Sequence, residues 1–146
     1  MPKRFTLTEA ESLLPEIEST LRDAVSLKTQ YEDAEQAIQT FAQRVAMQGG
    51  VLVDRETVLQ SRADRDTHGE KLKAALEKLQ EYGCVIKDLD IGLVDFPTLF
   101  RGREVYLCWR LGESGISFWH GTDEGFAGRK PIDSDFLANH QGDRSH

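Results

Sequence analysis

The hydrophobic period of this chain changes at Gly83, and this change constrains the fold more than any other feature. Before it, apolar residues recur every three or four positions, as they do on one face of an α-helix. After it, short runs of β-branched and aromatic residues are separated by glycine-containing turns, which is typical of antiparallel strands. Helices that precede strands, instead of alternating with them, predict an α+β fold. The length of 146 residues suits one domain, so we expect a single domain over 1–146.

A long antiparallel helical hairpin, with a short N-terminal helix before it, is expected over residues 8–82. Thr8 and Glu11 have the spacing of a capping box, in which each residue satisfies a backbone N–H near the other. Pro15 lacks the N–H that a helix interior needs and disfavours helical geometry in the residue before it. We therefore predict that the short helix spans 8–14 and that a new helix begins at Pro15.

The two long helices of the hairpin are separated by a glycine pair. The first runs from Pro15 to Gly49-Gly50, and the second starts near Asp54 and ends at Tyr82. Gly83 follows at the position where a left-handed residue commonly ends a helix.

The first long helix carries an apolar seam of the kind found in coiled coils, interrupted by Lys28 and Glu35. Such a seam needs a partner helix, which the hairpin supplies in part. We therefore expect a homo-oligomer, most simply a dimer, or an unknown protein partner that docks on the helices. The seam consists of Leu14, Ile17, Leu21, Ala24, Tyr31, Ile38, Ala42 and Val45.

A small antiparallel sheet of about three strands is expected within residues 83–132. The β-prone runs are 84–87, 104–111 and 116–120, and the last two are joined by a glycine-containing turn. Residues 133–146 are polar and close to a chain end, so we expect a flexible tail, disordered or loosely docked.

The register of the predicted hairpin between the last two strands has two alternatives. If Leu111 pairs with Ile116, then Cys108 opposes Trp119. A shift of one residue opposes Cys108 to His120 instead and moves the side chains of one strand to the other face of the sheet.

The overall charge argues against nucleic acid or an anionic membrane as a partner. The formal net charge is −7, and basic residues are not clustered in either half of the chain. No apolar run is long enough to span a bilayer, and the N-terminus lacks the apolar core of a signal peptide. Two cysteines do not make a disulfide scaffold, so we expect reduced thiols and a cytoplasmic location.

The residues that could carry chemistry concentrate between Cys84 and Arg129. Carboxylates and an imidazole are suitable ligands for a divalent metal, so this segment contains a candidate metal site. Alternatively, the aspartates make turn hydrogen bonds, the histidine is a hydrogen-bonded core residue, and the cysteines are small buried hydrophobic side chains. The candidate ligands are His120, Glu113, Asp88, Asp90 and Asp95.

Four segments of the chain carry a family resemblance. They are 5–17, 83–97, 107–113 and 118–132, with the sequences FTLTEAESLLPEI, GCVIKDLDIGLVDFP, LCWRLGE and FWHGTDEGFAGRKPI. Together they resemble a bacterial family known only as domain of unknown function 2203. The resemblance implies a small cytoplasmic bacterial protein, and it implies no activity and no catalytic residue.

Three functions are therefore expected, in this order. The first is a binding or interaction protein that self-associates or docks a partner through its helices. The second is a divalent-metal-binding protein, or a metal-dependent hydrolase, with its site in residues 84–129. The third is a small hydrolase or transferase with His120 as general base and an acidic partner. Whether the protein is an enzyme is left open by the sequence.

Overall fold

The chain has the expected α+β fold, with two long helices followed by an antiparallel sheet. The structure, a computed structural model, describes residues 3–48 and 55–143. The chain divides into two compact units, one formed by Met1–Leu21 with Glu77–His146 and the other by Arg22–Leu76. The single domain over 1–146 stays a prediction. Among the described residues, no helix combines the length and the apolar character needed to cross a bilayer.

The first helix, α1, is continuous over Leu7–Gln48, so the predicted break at Pro15 and the separate helix over 8–14 are wrong. A proline inside a helix costs about 3 kcal/mol relative to alanine. Burial of one large apolar side chain contributes about 1.5–3 kcal/mol. Leu14 is 8% exposed, and Ile17 is fully buried on the other side of the proline. Burial on both sides of Pro15 therefore outweighs the lost hydrogen bond.

The capping box of α1 lies two residues earlier than predicted. The N–H of Glu9 donates to Oγ1 of Thr6 at 3.2 Å, and the N–H of Thr6 donates to Oε1 of Glu9 at 3.1 Å. Thr8 and Glu11 also have the spacing of a capping box, but they lie inside the helix. The earlier capping box is the one that forms because Phe5, the residue directly before Thr6, is fixed in the core. Its ring is fully buried and packs edge-on against Phe96.

The second helix, α2, spans Arg55–Glu81. Gly83 adopts a φ of 93°, which confirms it as the left-handed residue after this helix. The predicted glycine pair and the predicted start at Asp54 lie outside the described residues.

Within residues 22–76, α1 and α2 run antiparallel, as expected. Nη1 of Arg65 lies 3.3 Å from Oε1 of Glu35. One turn further along α2, Gly69 faces the ring of Tyr31, one turn earlier in α1. A Cβ at Gly69 would lie 3.2 Å from that ring, so the glycine permits close packing.

The sheet has six strands where about three were expected, and every pairing is antiparallel. Five strands follow the order β1-β2-β3-β4-β5, and β6 pairs with the open edge of β2. The strands are β1 Val85–Asp88, β2 Leu93–Phe100, β3 Arg103–Arg110, β4 Phe118–Gly121, β5 Lys130–Pro131 and β6 His140–Gln141.

Strand β2 was not predicted, although it is the most buried strand of the sheet. It contains Asp95 and Pro97, and both residue types are depleted in strands. β1 and β6 both pair with β2 on the side away from β3, and neither of them pairs with Pro97. The proline is tolerated because the N–H that it lacks would have no strand partner on that side. There the N–H of Phe5 donates to the carbonyl of Pro97 at 2.7 Å.

The register between β3 and β4 differs from both alternatives. Cys108 pairs with Phe118, and Tyr106 pairs with His120. Both predicted registers are therefore wrong. The faces, however, are those of the second alternative, since Cys108 and His120 point to the same side of the sheet.

Residues 133–143 pack against the sheet, which agrees with the docked alternative for the tail over 133–146, and residues 144–146 lie outside the described part of the chain. The flexibility of the tail stays a prediction. The short helix α3 spans Ser134–Asn139, and Asp133 caps it by accepting from the N–H of Phe136 at 2.8 Å. The Phe136 ring is 1% exposed and stacks on Phe100 and Trp119, with centroids 4.8 and 5.0 Å away. The segment is thus docked by the Phe136 ring, by the pairing of β6 with β2 and by the hydrogen bond from the N–H of Leu7 to Nε2 of His140.

Candidate metal centre

Three side chains of types that can bind a metal converge on one face of the sheet. They are Asp95 on β2, Cys108 on β3 and His120 on β4, and one ligand atom of each lies within 4.8 Å of the other two. Asp95 and Cys108 are fully buried, and His120 is 2% exposed. We call these three residues the buried cluster. Burial of a carboxylate and an imidazole is costly unless each has a partner, so their convergence requires an explanation.

Strand pairing positions the buried cluster. Asp95 lies directly opposite Cys108 in the β2–β3 ladder, which puts both side chains on the same face. His120 lies opposite Tyr106, two residues before Cys108, and is therefore the diagonal neighbour of Cys108 on that face. Three neighbouring strands supply one residue each.

The imidazole of His120 lies between two hydrogen-bond acceptors. Its Nε2 is 3.0 Å from both carboxylate oxygens of Asp95, and its Nδ1 is 2.8 Å from the carbonyl oxygen of Gly121. A carbonyl oxygen only accepts, so Nδ1 carries a proton. A second proton lies between Nε2 and the Asp95 carboxylate, because two facing acceptors would repel each other. The His120–Asp95 pair therefore holds two protons, and one of them is shared.

Cys108 is a protonated thiol at neutral pH in the metal-free protein. Burial, together with the nearby Asp95 carboxylate, raises its pKa to about 12, and the Arg129 guanidinium partly opposes this shift. The thiolate is the nucleophilic form, so this cysteine is not set up as a free nucleophile.

Cys84 lies apart from the buried cluster. Its thiol donates to the carbonyl oxygen of Leu79 at 3.4 Å, and burial raises its pKa to about 11. Both cysteines are free and buried.

Glu113, one of the predicted ligands, is engaged elsewhere. Its Oε2 accepts from Nη2 of Arg129 at 2.7 Å, and its Oε1 accepts from the N–H of Arg110 at 2.7 Å. The Arg129 guanidinium also lies 4.0 Å from the centroid of Phe118 and 4.7 Å from that of Phe126. The structure therefore uses Glu113 to hold Arg129 between two aromatic rings.

Asp88 and Asp90 are likewise outside the buried cluster. Both are exposed where β1 ends and the turn before β2 begins, and Oδ1 of Asp88 accepts from the N–H of Asp90 at 3.0 Å. Of the five predicted ligands, the structure brings together Asp95 and His120. It adds Cys108, which sequence reasoning treated as a small hydrophobic residue. An aspartate inside a run of apolar residues, Leu93–Phe96, was the signal that could have pointed to a buried partner.

A family model covers residues 3–132 of this chain, and its description is "Uncharacterized conserved protein (DUF2203)". The chain belongs to the DUF2203 family. The DUF2203 match includes all three residues of the buried cluster and ends before α3. No curated protein and no solved structure matches the chain.

Proposed function

We propose that this DUF2203 protein binds a transition metal, with Zn²⁺ as the best fit, through Asp95, Cys108 and His120. The observation that carries the proposal is the convergence of a carboxylate, a thiol and an imidazole within 4.8 Å in a buried site. A site built from these donor types suits zinc, which accepts oxygen, sulfur and nitrogen ligands. Magnesium and calcium prefer sites built from oxygen ligands, so the thiol argues against them.

The geometry of the buried cluster is close to that of a zinc site. Zinc bonds of about 2.0–2.3 Å place tetrahedral ligand atoms about 3.3–3.8 Å apart. His120 Nε2 and the Asp95 oxygens, now 3.0 Å apart, would separate by a few tenths of an ångström. The ion would take the place of the shared proton. The hydrogen bond from Nδ1 to Gly121 already orients the ring, as second-shell partners do in metal sites.

Metal binding at this site would release protons. The shared proton of the His120–Asp95 pair and the thiol proton of Cys108 would both leave, so affinity would rise with pH. The Asp95 carboxylate and the Cys108 thiolate would together carry two negative charges, which neutralise the two positive charges of Zn²⁺, and the His120 imidazole would be neutral. Burial of all three side chains argues against a hydrolytic zinc, which needs a position that substrate can reach, and with three protein ligands the fourth position would be left to water.

The test is metal content together with cobalt spectroscopy. Untagged protein purified without chelator should contain about one equivalent of metal, and Co²⁺ added to metal-free protein should give a thiolate-to-cobalt charge-transfer band. Cys108→Ser should lose that band, whereas the matched variant Cys84→Ser should keep it. Wild-type protein that takes up neither metal, or a Cys108→Ser variant that keeps the band, would overturn the proposal.

A second candidate function, self-association through the helices, is supported by the exposure of the hairpin. Of the described residues in 22–76, Ala24 alone is buried. The seam beyond Ala24 is half-buried or exposed, although it faces a partner helix. The half-buried residues of α1 include Tyr31, Ala34, Ile38, Phe41 and Val45. Helices α1 and α2 of one copy leave this seam partly exposed, and the helices of a second hairpin would bury it.

The dimensions of the hairpin favour a second copy of this chain as the occupant. Helix α2 has 27 residues and is therefore about 40 Å long, and two helices side by side are about 20 Å wide. Such a surface measures about 800 Å², which matches one side of a standard protein–protein interface. We propose an antiparallel four-helix arrangement between two copies of this chain.

We also propose that the protein functions in the bacterial cytoplasm. Its two free thiols support that location, because cysteines are kept reduced there.

Sedimentation velocity over a range of concentrations tests this association. A dimer has twice the chain mass of 16.5 kDa. Ile38→Lys should shift the protein to monomer, and Gln39→Lys, which adds the same charge at an exposed neighbour, should not. A wild-type protein that stays monomeric at high micromolar concentration would refute self-association.

A further inference from the structure

A cavity of about 320 Å³ lies at one end of the sheet, around Trp119. Its apolar wall is formed by Phe100, Val105 and Trp119. Val105 and Trp119 occupy odd positions on β3 and β4, whereas Cys108 and His120 occupy even ones, so the cavity opens on the other face of the sheet from the buried cluster. Its volume falls in the range of small-molecule sites.

We propose that this cavity binds a small anion that carries a flat aromatic ring. The ring would lie on Trp119 and Phe100, and the anionic group would reach the arginines at the mouth. The proposal goes beyond metal binding and does not depend on it.

The aromatic wall is held in place from behind. The rings of Phe100 and Trp119 lie 5.2 Å apart, and the buried ring of Phe136 stacks on both. Trp119 itself is half-buried, and Nζ of Lys130 lies 4.9 Å from the centroid of its ring. The guanidinium of Arg101 lies 5.4 Å from the centroid of Phe100, so a ligand ring would replace these two cationic side chains on the aromatic wall. A wall that is already ordered loses little entropy when a ligand ring packs on it.

Three cations line the cavity, at Arg101, Arg103 and Lys130. Arg103 is exposed and makes no ion pair with any residue in the described part of the chain. Arg101 pairs with Asp135 at the surface, where both side chains are more than half exposed, and such pairs exchange easily. Two guanidinium groups are therefore available to a carboxylate, sulfonate or phosphate.

The turn that presents the two arginines has an unfavourable residue choice. Arg101 and Gly102 have φ values of 53° and 77°, as in a two-residue turn that favours asparagine or aspartate followed by glycine. An arginine in the left-handed region is costly because its Cβ approaches the backbone. The turn thus carries a cation at the cavity mouth where asparagine or aspartate would fit the backbone better.

Carboxylates in the lining offset part of this charge, but not all of it. Glu124 accepts from Nζ of Lys130 and from the N–H of Gly121, so it forms a local neutral pair with Lys130. Asp123 is the other acidic residue of the lining, against the two arginines. The lining residues sum to a formal charge of +1, from three cations and two carboxylates, in a chain whose net charge is −7.

Two fluorescent probes test the proposal on the full chain. The first is 8-anilinonaphthalene-1-sulfonate, and the second is N-phenyl-1-naphthylamine, which has the same ring system without the sulfonate. The sulfonate probe should bind with saturable one-to-one stoichiometry and at least about tenfold more tightly than the neutral probe, because a charged group with hydrogen-bond donors is worth about that factor.

Three variants locate the binding. Arg103→Gln should weaken the sulfonate probe about tenfold and leave the neutral probe unchanged, and Trp119→Phe should weaken both. Lys73→Gln, which removes an exposed cation of α2 outside the cavity, should change neither, and circular dichroism verifies that each variant is folded. Equal binding of the two probes, no binding, or an Arg103→Gln variant that binds like wild type would overturn the proposal.

Discussion

Replacing His120 by leucine should destabilise the metal-free protein by about 3–5 kcal/mol, the range found when one partner of a buried charged pair is removed. Asp95 is fully buried, and both of its oxygens lie 3.0 Å from Nε2 of His120. Without the imidazole, the carboxyl group must either stay charged without a partner or take up a proton. Asp95→Val should cost a similar amount, because it leaves the ring nitrogen without its partner.

The double variant separates the pair from ordinary packing. When both partners of a buried pair become apolar, stability is often unchanged or higher by about 1–4 kcal/mol. Asp95→Val with His120→Leu should therefore be more stable than either single variant. The assay is urea denaturation in the presence of a chelator, followed by circular dichroism and analysed as a double-mutant cycle. Single variants that each cost less than about 1 kcal/mol, or costs that simply add, would refute the reasoning.

Three further predictions follow from the helices and from Cys84. Pro15→Ala should stabilise the protein by about 1–3 kcal/mol in urea denaturation, because α1 is continuous through this position; no gain would mean that the helix breaks there. Thr6→Ala should cost about 1 kcal/mol through loss of the cap, and Thr8→Ala, the matched control, should cost less than half of that. Because burial raises the pKa of Cys84 from 9.0 to about 11, the folded state holds this proton more tightly than the unfolded state. Cys84 should therefore make stability fall by about 1.4 kcal/mol per pH unit between about pH 9 and pH 11, in addition to the fall caused by Cys108, whose pKa is raised to about 12. A Cys84→Ala variant should lose this share of the slope, and a variant with the wild-type slope would contradict the prediction.

The helices show which features local sequence can predict. The three-and-four periodicity and the stop at Gly83 depend on residues within one or two turns of each other, and both α2 and its left-handed end were predicted from them. The continuity of α1 through Pro15 and the choice between the two capping boxes were not predicted. Both are decided by distant contacts, since burial of Ile17 and of Phe5 settles which local signal prevails.

The sheet depends even less on local sequence than the helices do. Strand β2 contains two residue types that disfavour strands, and it is nevertheless the central partner of β1, β3 and β6. The β3–β4 register differs from both predicted ones, because a turn sequence does not by itself determine how many residues the strands leave unpaired.

The candidate site also depends partly on local sequence and partly on distant contacts. Patterns within the amino-acid sequence were enough to predict that helices precede strands, that charge is spread evenly, and that Asp95 and His120 lie in the chemically richest segment. Three-dimensional packing was needed to bring these two side chains together with Cys108 and to leave Glu113, Asp88 and Asp90 outside the buried cluster. The difference arises because helical periodicity comes from neighbours in the chain. The buried cluster instead comes from pairing among three strands, whose register depends on packing across the whole sheet.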